Sequence, residues 1–428
     1  MRQASRASLA FAVVFAGLAA AAYGQLTIAN SVPTNGPVPV APLFIASGSD
    51  GALWFTQPDA SSISRMTTGG SFTAFSIPSL NSHPAGIAAG PDGALWFIEA
   101  ASSKIGRLTT AGAFTEYPFA SGGNNVNDGI TAGPDGAIWF TEFGDNRVGR
   151  ITTSGAVTTF NVPTAGSGPS GITTGQDGAL WFVQTNGNNV GRVTTGGAFS
   201  EFPIPTPDSQ PVGITAGADG ALWFTESNGS KIGRITTSGV ITEFGAQSGN
   251  LSQIVAAPDG TLWFTDRTGS IGRITTSGTV SEFATVAASP VGITVGSDGN
   301  LWYADQGDDS IDAVVFRSTL FLGGGRFAVT TVFQSTADGI PSGATAVTLT
   351  DNSGYFWFFG PTNIELVTKV LDGCAINGNY WFFAAGLTNV RVLTGVQDLQ
   401  AGADQAYSND FGTSFQPIQD TAALSTCP

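Results

Sequence analysis

At 428 residues the chain is long for a single hydrophobic core, so two domains are the default expectation. Only 11% of residues are charged and Gly is abundant at 58, with no runs rich in Leu, Lys and Glu, which excludes a mainly helical protein and favours short strands joined by many turns. A net charge of −15 argues against nucleic acid and anionic membrane surfaces as partners and identifies no partner of its own; a monomer with an unidentified small-molecule or peptide ligand is the expectation.

Residues 1–24 read as a secretory signal peptide. Arg2 and Arg6 precede an apolar run from Leu9 to Ala22, and Ala22-Tyr23-Gly24 is a small-x-small cleavage site. The run is short for a bilayer, no Cys follows it to carry a lipid anchor, and no other stretch is long and apolar enough to span. The expected product is secreted, extracellular or periplasmic, after cleavage near Gly24.

Beyond an isolated strand signal at Gln25–Pro33, the chain is organised by the stretch Asp-Gly-Ala-Leu-Trp-Phe. It begins at Asp50 and returns in close form at Asp92, Asp135, Asp177, Asp219, Asp259 and Asp298, at intervals of 42, 43, 42, 42, 40 and 39 residues. Such a period means one supersecondary unit used seven times. In the third copy, Gly129 to Gly133 is a short strand turned by Pro134-Asp135-Gly136. Ala137 to Glu142 is a second strand, and Arg147 to Thr152 a third. Thr153-Ser154-Gly155 turns into a fourth, Ala156 to Phe160. Asp-Gly supplies the positive φ angles of a hairpin, and a second strand apolar on both faces must be covered on both. Four antiparallel strands in about 40–45 residues is the size of a propeller blade.

The third strand recurs seven times, at Ile63, Ile105, Val148, Val190, Ile232, Ile271 and Ile311, but the fourth only six. The orphan strand at Leu26-Thr27-Ile28 is the missing piece, and would close the ring by completing blade seven, leaving no open sheet edge. The expected fold is therefore an all-β, seven-bladed β-propeller over residues 25–316. A second, all-β module follows over 317–428, most simply a small β-sandwich. Its strands are read at Arg326–Val332, Ala346–Thr350, Tyr355–Phe359, Ile364–Val370, Tyr380–Phe383 and Asn389–Leu393. Both cysteines, Cys374 and Cys427, fall in this module, and in an exported protein a disulfide between them is expected.

Chemistry is sought at the end of each second strand, where the repeat places Gln57, Glu99, Glu142, Gln184, Glu226, Asp266 and Asp305. The first strand of a blade is innermost, so these seven side chains are expected to crowd one mouth of the central channel and bind a ligand there. Five are carboxylates, and like charges gathered in a funnel bind a cation or raise one another's pKa. The structural alternative pairs each acid with a third-strand Arg: Arg65, Arg107, Arg150, Arg192, Arg234 or Arg273, with Ala313 in blade seven.

Copies such as Gly133-Pro-Asp-Gly-Ala-Ile-Trp-Phe-Thr-Glu142 and Lys231-Ile-Gly-Arg-Ile-Thr-Thr-Ser-Gly239 resemble the streptogramin (virginiamycin B) lyases over about residues 41–316. The resemblance implies a seven-bladed propeller that opens a cyclic depsipeptide by elimination, using a His general base and Mg²⁺ held by glutamates. The family's base lies just before the Gly-Ile that starts a first strand. That rank here holds Leu43, Ala85, Asp128, Ser170, Val212, Ser252 and Val291, so no copy has the base. One family metal ligand, at the end of the second strand, corresponds in type to Glu99, Glu142 or Glu226. The other lies two residues before the base, where blade two has His83, the only His of the chain. His83 with Glu99, and Asp128 with Glu142, are the candidate ligand pairs for Mg²⁺ or Ca²⁺. The C-terminal module, with Gly354-Tyr-Phe-Trp-Phe-Phe359 and Val370-Leu-Asp-Gly-Cys374, resembles modules appended to secreted bacterial proteins.

Three functions follow as expectations. The first is a secreted lyase-like propeller that binds a ligand or divalent cation at an acidic mouth without lyase activity. The second is a metal-dependent C–O lyase acting on a lactone or depsipeptide, with Asp128 as the base. The third is an interaction scaffold at the cell surface.

Overall fold

The computed structural model describes residues 27–29, 41–119, 129–247, 249–258, 260–284, 289–315, 319–323, 326–334, 342–358, 365–398, 400–401 and 403–427. The expected signal peptide, and Gln25, Leu26 and 30–33 around the expected closing strand, lie outside them. The chain divides into two compact units, Ser31–Ala313 and Val314–Pro428, the latter grouped with Met1–Asn30.

The first unit is built from antiparallel four-stranded sheets in sequential order, one per repeat. In the third repeat the strands are Ile130–Ala132, Ile138–Glu142, Arg147–Ile151 and Val157–Asn161, each bonded to the next. The seventh sheet runs in the order Pro290–Val295, Leu301–Asp305, Ser310–Val315, Thr27–Ala29.

The Asp-Gly hairpin of the third repeat is more than a turn. Gly136 takes φ 73°, and the Asp135 carboxylate then collects three donors. Its Oδ1 accepts the Trp139 indole N–H at 3.0 Å and the Ala137 N–H at 3.3 Å, and its Oδ2 accepts Arg150 Nε at 2.6 Å. The Trp139 ring stacks on Phe160 of the fourth strand, with centroids 5.6 Å apart. One constellation therefore ties all but the innermost strand together.

The two faces of a second strand bury against different neighbours. Trp96 and Ile98 pack with Ile138 and Phe140 of the next sheet, while Leu95 and Phe97 pack with Trp54 of the preceding one. The first strands of all seven repeats border one cavity of about 100 Å³, lined mainly by Ile side chains such as Ile45, Ile130 and Ile293. The glycine of the Gly-Ile step is required there: a Cβ on Gly171 would lie 2.5 Å from the Val212 carbonyl of the next first strand. Gly292 of the seventh repeat donates its N–H to the Leu43 carbonyl of the first at 3.0 Å.

The second unit holds two five-stranded sheets. One runs Thr319–Leu322, Phe327–Gln334, Arg391–Asp398, Asp404–Asn409, with Ser342–Gly343 beside Phe327–Gln334. The other runs Thr345–Thr350, Ser353–Trp357, Leu366–Gly373, Asn379–Gly386, Ile418–Leu424. Leu320, Val329 and Val392 share one buried cluster with Phe356, Leu366 and Phe382. The strands Asp404–Asn409 and Ile418–Leu424 escape sequence reading because most of their side chains are polar or exposed. The one-turn helix Cys374–Asn377 escapes it too. Cys374 and Cys427 form a disulfide, with Cα atoms 5.5 Å apart. No described helix is long and apolar enough to cross a membrane.

Candidate functional site

The end of each sheet opposite the Asp-Gly turn carries the residues singled out above, and it is not an open acidic mouth. Gln57, Glu99, Glu142, Gln184, Glu226, Asp266 and Asp305 are all buried, at 4% exposure or less, and none lines the central cavity. Their strands present them to the body of the sheets rather than to the channel. The proposed pairing with third-strand arginines is also corrected. Arg65, Arg107, Arg150, Arg192 and Arg234 sit at the far end of their strands and bind the turn carboxylates Asp50, Asp92, Asp135, Asp177 and Asp219 at 2.6–2.7 Å. Arg273 Nε donates to Thr261 Oγ1 at 3.2 Å.

The local solution varies along the row. Gln57 Oε1 accepts from the Ser62 and Ser64 hydroxyls. Glu99 Oε2 accepts from Ser102 at 2.8 Å, and its Oε1 has no partner. Burial pushes its carboxyl to about 7; Ser102 pulls it down and the nearby Glu116 raises it. Glu142 accepts Arg147 Nη2 at 2.5 Å, and Arg147 also reaches Asp145 at 3.0 Å. Burial still raises Glu142 above its ordinary value against the pull of Arg147. Gln184 donates Nε2 to Glu201 at 2.7 Å and accepts from Asn189 at 3.0 Å. Neither carboxylate oxygen of Glu226 has a hydrogen-bond partner. Asp266 Oδ1 accepts the Thr268 N–H at 2.8 Å, and Asp305 Oδ1 accepts the N–H groups of Ser289 at 3.0 Å and Gly307 at 2.8 Å.

Sequence reading missed the fourth-strand glutamates Glu116, Glu201 and Glu243, which face this row and anchor the preceding loop through Ser79, Thr164 and Thr206. Their recurrence at one rank of the fourth strand is visible in the sequence. It also missed the seventh sheet, where the rank held by Phe and Gly in five other repeats carries Tyr303 and Asp312. Asp312 is buried, its Oδ1 has no partner, and burial beside Asp305 and Asp308 pushes it to about 7.

Three members of the candidate metal pairs, His83, Glu99 and Glu142, lie among the described residues. His83 is exposed, with φ 45°, and its carbonyl accepts the Ala100 N–H at 3.2 Å, while Glu99 turns inward to Ser102. Glu142 is taken by Arg147, and Asp128 lies outside the described residues. Among the described residues, the single set of three ligand-bearing side chains close enough to share an ion is Asp372 with Cys374 and Cys427, whose sulfurs are spent on the disulfide. Glu99, Glu142 and Glu226, the described glutamates at the rank of the implied Mg²⁺ ligand, are all buried. At the rank of the family's base, Ala85, Ser170, Ser252 and Val291 are buried and none can take a proton near neutral pH.

Comparison with known proteins places this geometry. The model of the virginiamycin B lyase family matches residues 15–210 and 184–320. Virginiamycin B lyase from Staphylococcus aureus is 41% identical, with a TM-score of 0.63, over 68% of this chain and 99% of that one. A catalytically inactive His-to-Ala variant of the same lyase, solved with quinupristin, is 40% identical at the same TM-score and coverage. The WD40 β-propeller of Doa1 matches over 68% of this chain and 97% of its own, with a TM-score of 0.58 at 9% identity, and shows the fold alone. Among curated protein sequences none matches. The first unit is a β-propeller of the lyase type, and the chain belongs to the virginiamycin B lyase family.

Proposed function

We propose that the protein is an exported member of this family that binds a ligand at the channel end of its propeller and does not open streptogramin lactones. One observation carries this: across seven repeats, the rank just before Gly-Ile holds no His, although the fold matches lyases at about 40% identity. That a His-to-Ala lyase variant is catalytically inactive supports the same inference. General-base catalysis is typically worth about 10²–10⁴ in rate, so its loss is a sufficient cause.

The finer fold follows the same proposal. The first unit is a seven-bladed ring closed by the strand Thr27–Ala29 beside Ser310–Val315, and the second is a β-sandwich; the strand order and the shared Ile-lined cavity support the first, and the common core cluster the second. Export is supported by the pattern of residues 1–24 and by the disulfide.

The deciding experiment incubates the purified chain with quinupristin and follows lactone opening by mass spectrometry, with and without millimolar Mg²⁺. No product above background is expected. Turnover would overturn the proposal in favour of a metal-dependent C–O lyase, the reading favoured by the identity to lyases, and Asp128→Asn would then test the base. Divalent-cation binding is the weaker part, because the described acids are buried and differently partnered. A melting temperature unmoved by Mg²⁺ or Ca²⁺ would remove it.

A further inference from the structure

We infer that Glu226 is built to hold a proton rather than a cation, that it shares this proton with Glu243, and that losing it loosens the seam between the fourth and fifth sheets.

The fourth sheet supplies the control. There Thr164 donates its N–H to Glu201 Oε1 at 3.2 Å and its hydroxyl to Oε2 at 2.9 Å, and the Gln184 amide donates to Oε1 at 2.7 Å. The fifth sheet repeats the arrangement. Thr206 donates its N–H and its hydroxyl to Glu243 Oε1 and Oε2, both at 2.9 Å, and Lys231 Nζ reaches Oε2 at 3.0 Å. Glu226 occupies the place of Gln184, fully buried, with both oxygens unpartnered. An amide at this position gives a donor to the facing glutamate; a carboxyl group gives one only when protonated.

The charges agree. Lys231 faces the pair from the third strand and cancels one negative charge, so Glu226, Lys231 and Glu243 are neutral together only with one proton added. From the loop before the first strand Ser209 faces Glu226, and its neighbour Asp208 is exposed. The fourth repeat contributes Ala179, Trp181, Val183, Val190, Phe202 and Ile204, all apolar, to the seam against Leu222 and Phe224. Asn188 crosses that seam, its Oδ1 accepting the Ser209 N–H at 2.8 Å and hydroxyl at 2.9 Å. Burial first, then the Glu243 charge, pushes Glu226 to about 7, with Lys231 opposing. A carboxyl whose folded pKa is raised contributes stability below its unfolded value of 4.5, and that stability is lost as pH rises towards about 7.

Glu226→Gln installs the donor permanently. Melting is recorded at pH 5 and pH 8 in EDTA. The expected result is equal melting temperatures at pH 5, and a variant more stable than the native protein at pH 8. A difference independent of pH, or a variant less stable at pH 8, would overturn the inference. Adding millimolar Mg²⁺ or Ca²⁺ at pH 8 should leave the native protein unmoved; a rise that Glu226→Gln lacks would make the site a cation site. Should that variant fail to fold, Glu243→Gln provides the same decision. Without the facing charge, the loss of stability between pH 5 and pH 8 should shrink, and an unchanged loss would refute proton sharing.

Discussion

The two ends of a sheet solve their polar chemistry in opposite ways. At the turn end one arrangement is copied: Asp50, Asp92, Asp135, Asp177 and Asp219 each bind an indole N–H four residues on and an Arg fifteen residues on. At the other end the second to fifth sheets each differ from the next. Glu99 stands with Lys104 and Glu116, Glu142 with Arg147, Gln184 with Asn189 and Glu201, and Glu226 with Lys231 and Glu243. Uniformity is what a packing rule produces, since each Trp fills the same space between sheets. Variation shows that the buried polar row is free of that rule.

The largest expected effect tests the uniform end. Trp139 is fully buried and stacks on Phe160. Trp139→Ala should cost about 3–5 kcal/mol in chemical denaturation, and Trp181→Ala the same within error. A large difference between the two would break the claim that the turn end is one repeated solution.

A smaller effect tests the variable end. Arg147→Met leaves Glu142 buried without its charged partner, at about 1–3 kcal/mol for an unsatisfied buried group. Burial already raises the Glu142 pKa, and losing the arginine raises it further. The folded value then lies well above the unfolded one, so stability present in acid is lost as pH rises. Melting at pH 5 and pH 8 should show the variant losing more than the native protein on the alkaline side. Arg147→Met combined with Glu142→Gln should recover most of the loss, and a double variant as weak as the single one would show that packing, not charge, is at stake.

The contrast between the ends also explains what the sequence made legible. Strand order and the apolar second strands are read directly, because period and apolar runs record packing. Asp135 was legible as a turn residue only, although its spacing to Trp139 and Arg150 recurs unchanged in five repeats. The buried row was legible as position but not as environment. Nothing in Glu99 or Glu226 alone says whether the side chain turns to the channel or into the sheet, since that depends on Glu116 and Glu243 arriving from another strand. The absence of a His at the base rank needed no structure, whereas the exposure of His83 did.

The smallest effect compares an arginine at each end. Arg107 binds Asp92 at 2.6 Å and lies over the Trp96 ring, 6.0 Å from its centroid. Both partners of the ion pair are about one-fifth exposed, in the range where such pairs contribute about 0.2–1 kcal/mol. Asp92 also keeps the Trp96 indole at 3.0 Å and the Ala94 N–H at 3.3 Å, so it is not orphaned when the arginine is removed. Partial burial raises Asp92, and the bonds from Trp96, Arg107 and Ala94 outweigh it and hold the carboxyl below its ordinary value. Its contribution is therefore present at neutral pH and lost as pH falls, the reverse of Glu142. Arg107→Ala should cost about 1 kcal/mol or less at pH 7 and narrow further in acid, measured by denaturation at pH 7 and pH 4. The seventh repeat already lives without this arginine: Ala313 takes its rank, and Asp298 holds the Trp302 indole at 3.1 Å and the Asn300 amide at 2.9 Å. A loss from Arg107→Ala as large as that from Arg147→Met would mean that the turn end, too, depends on charge balance rather than on packing.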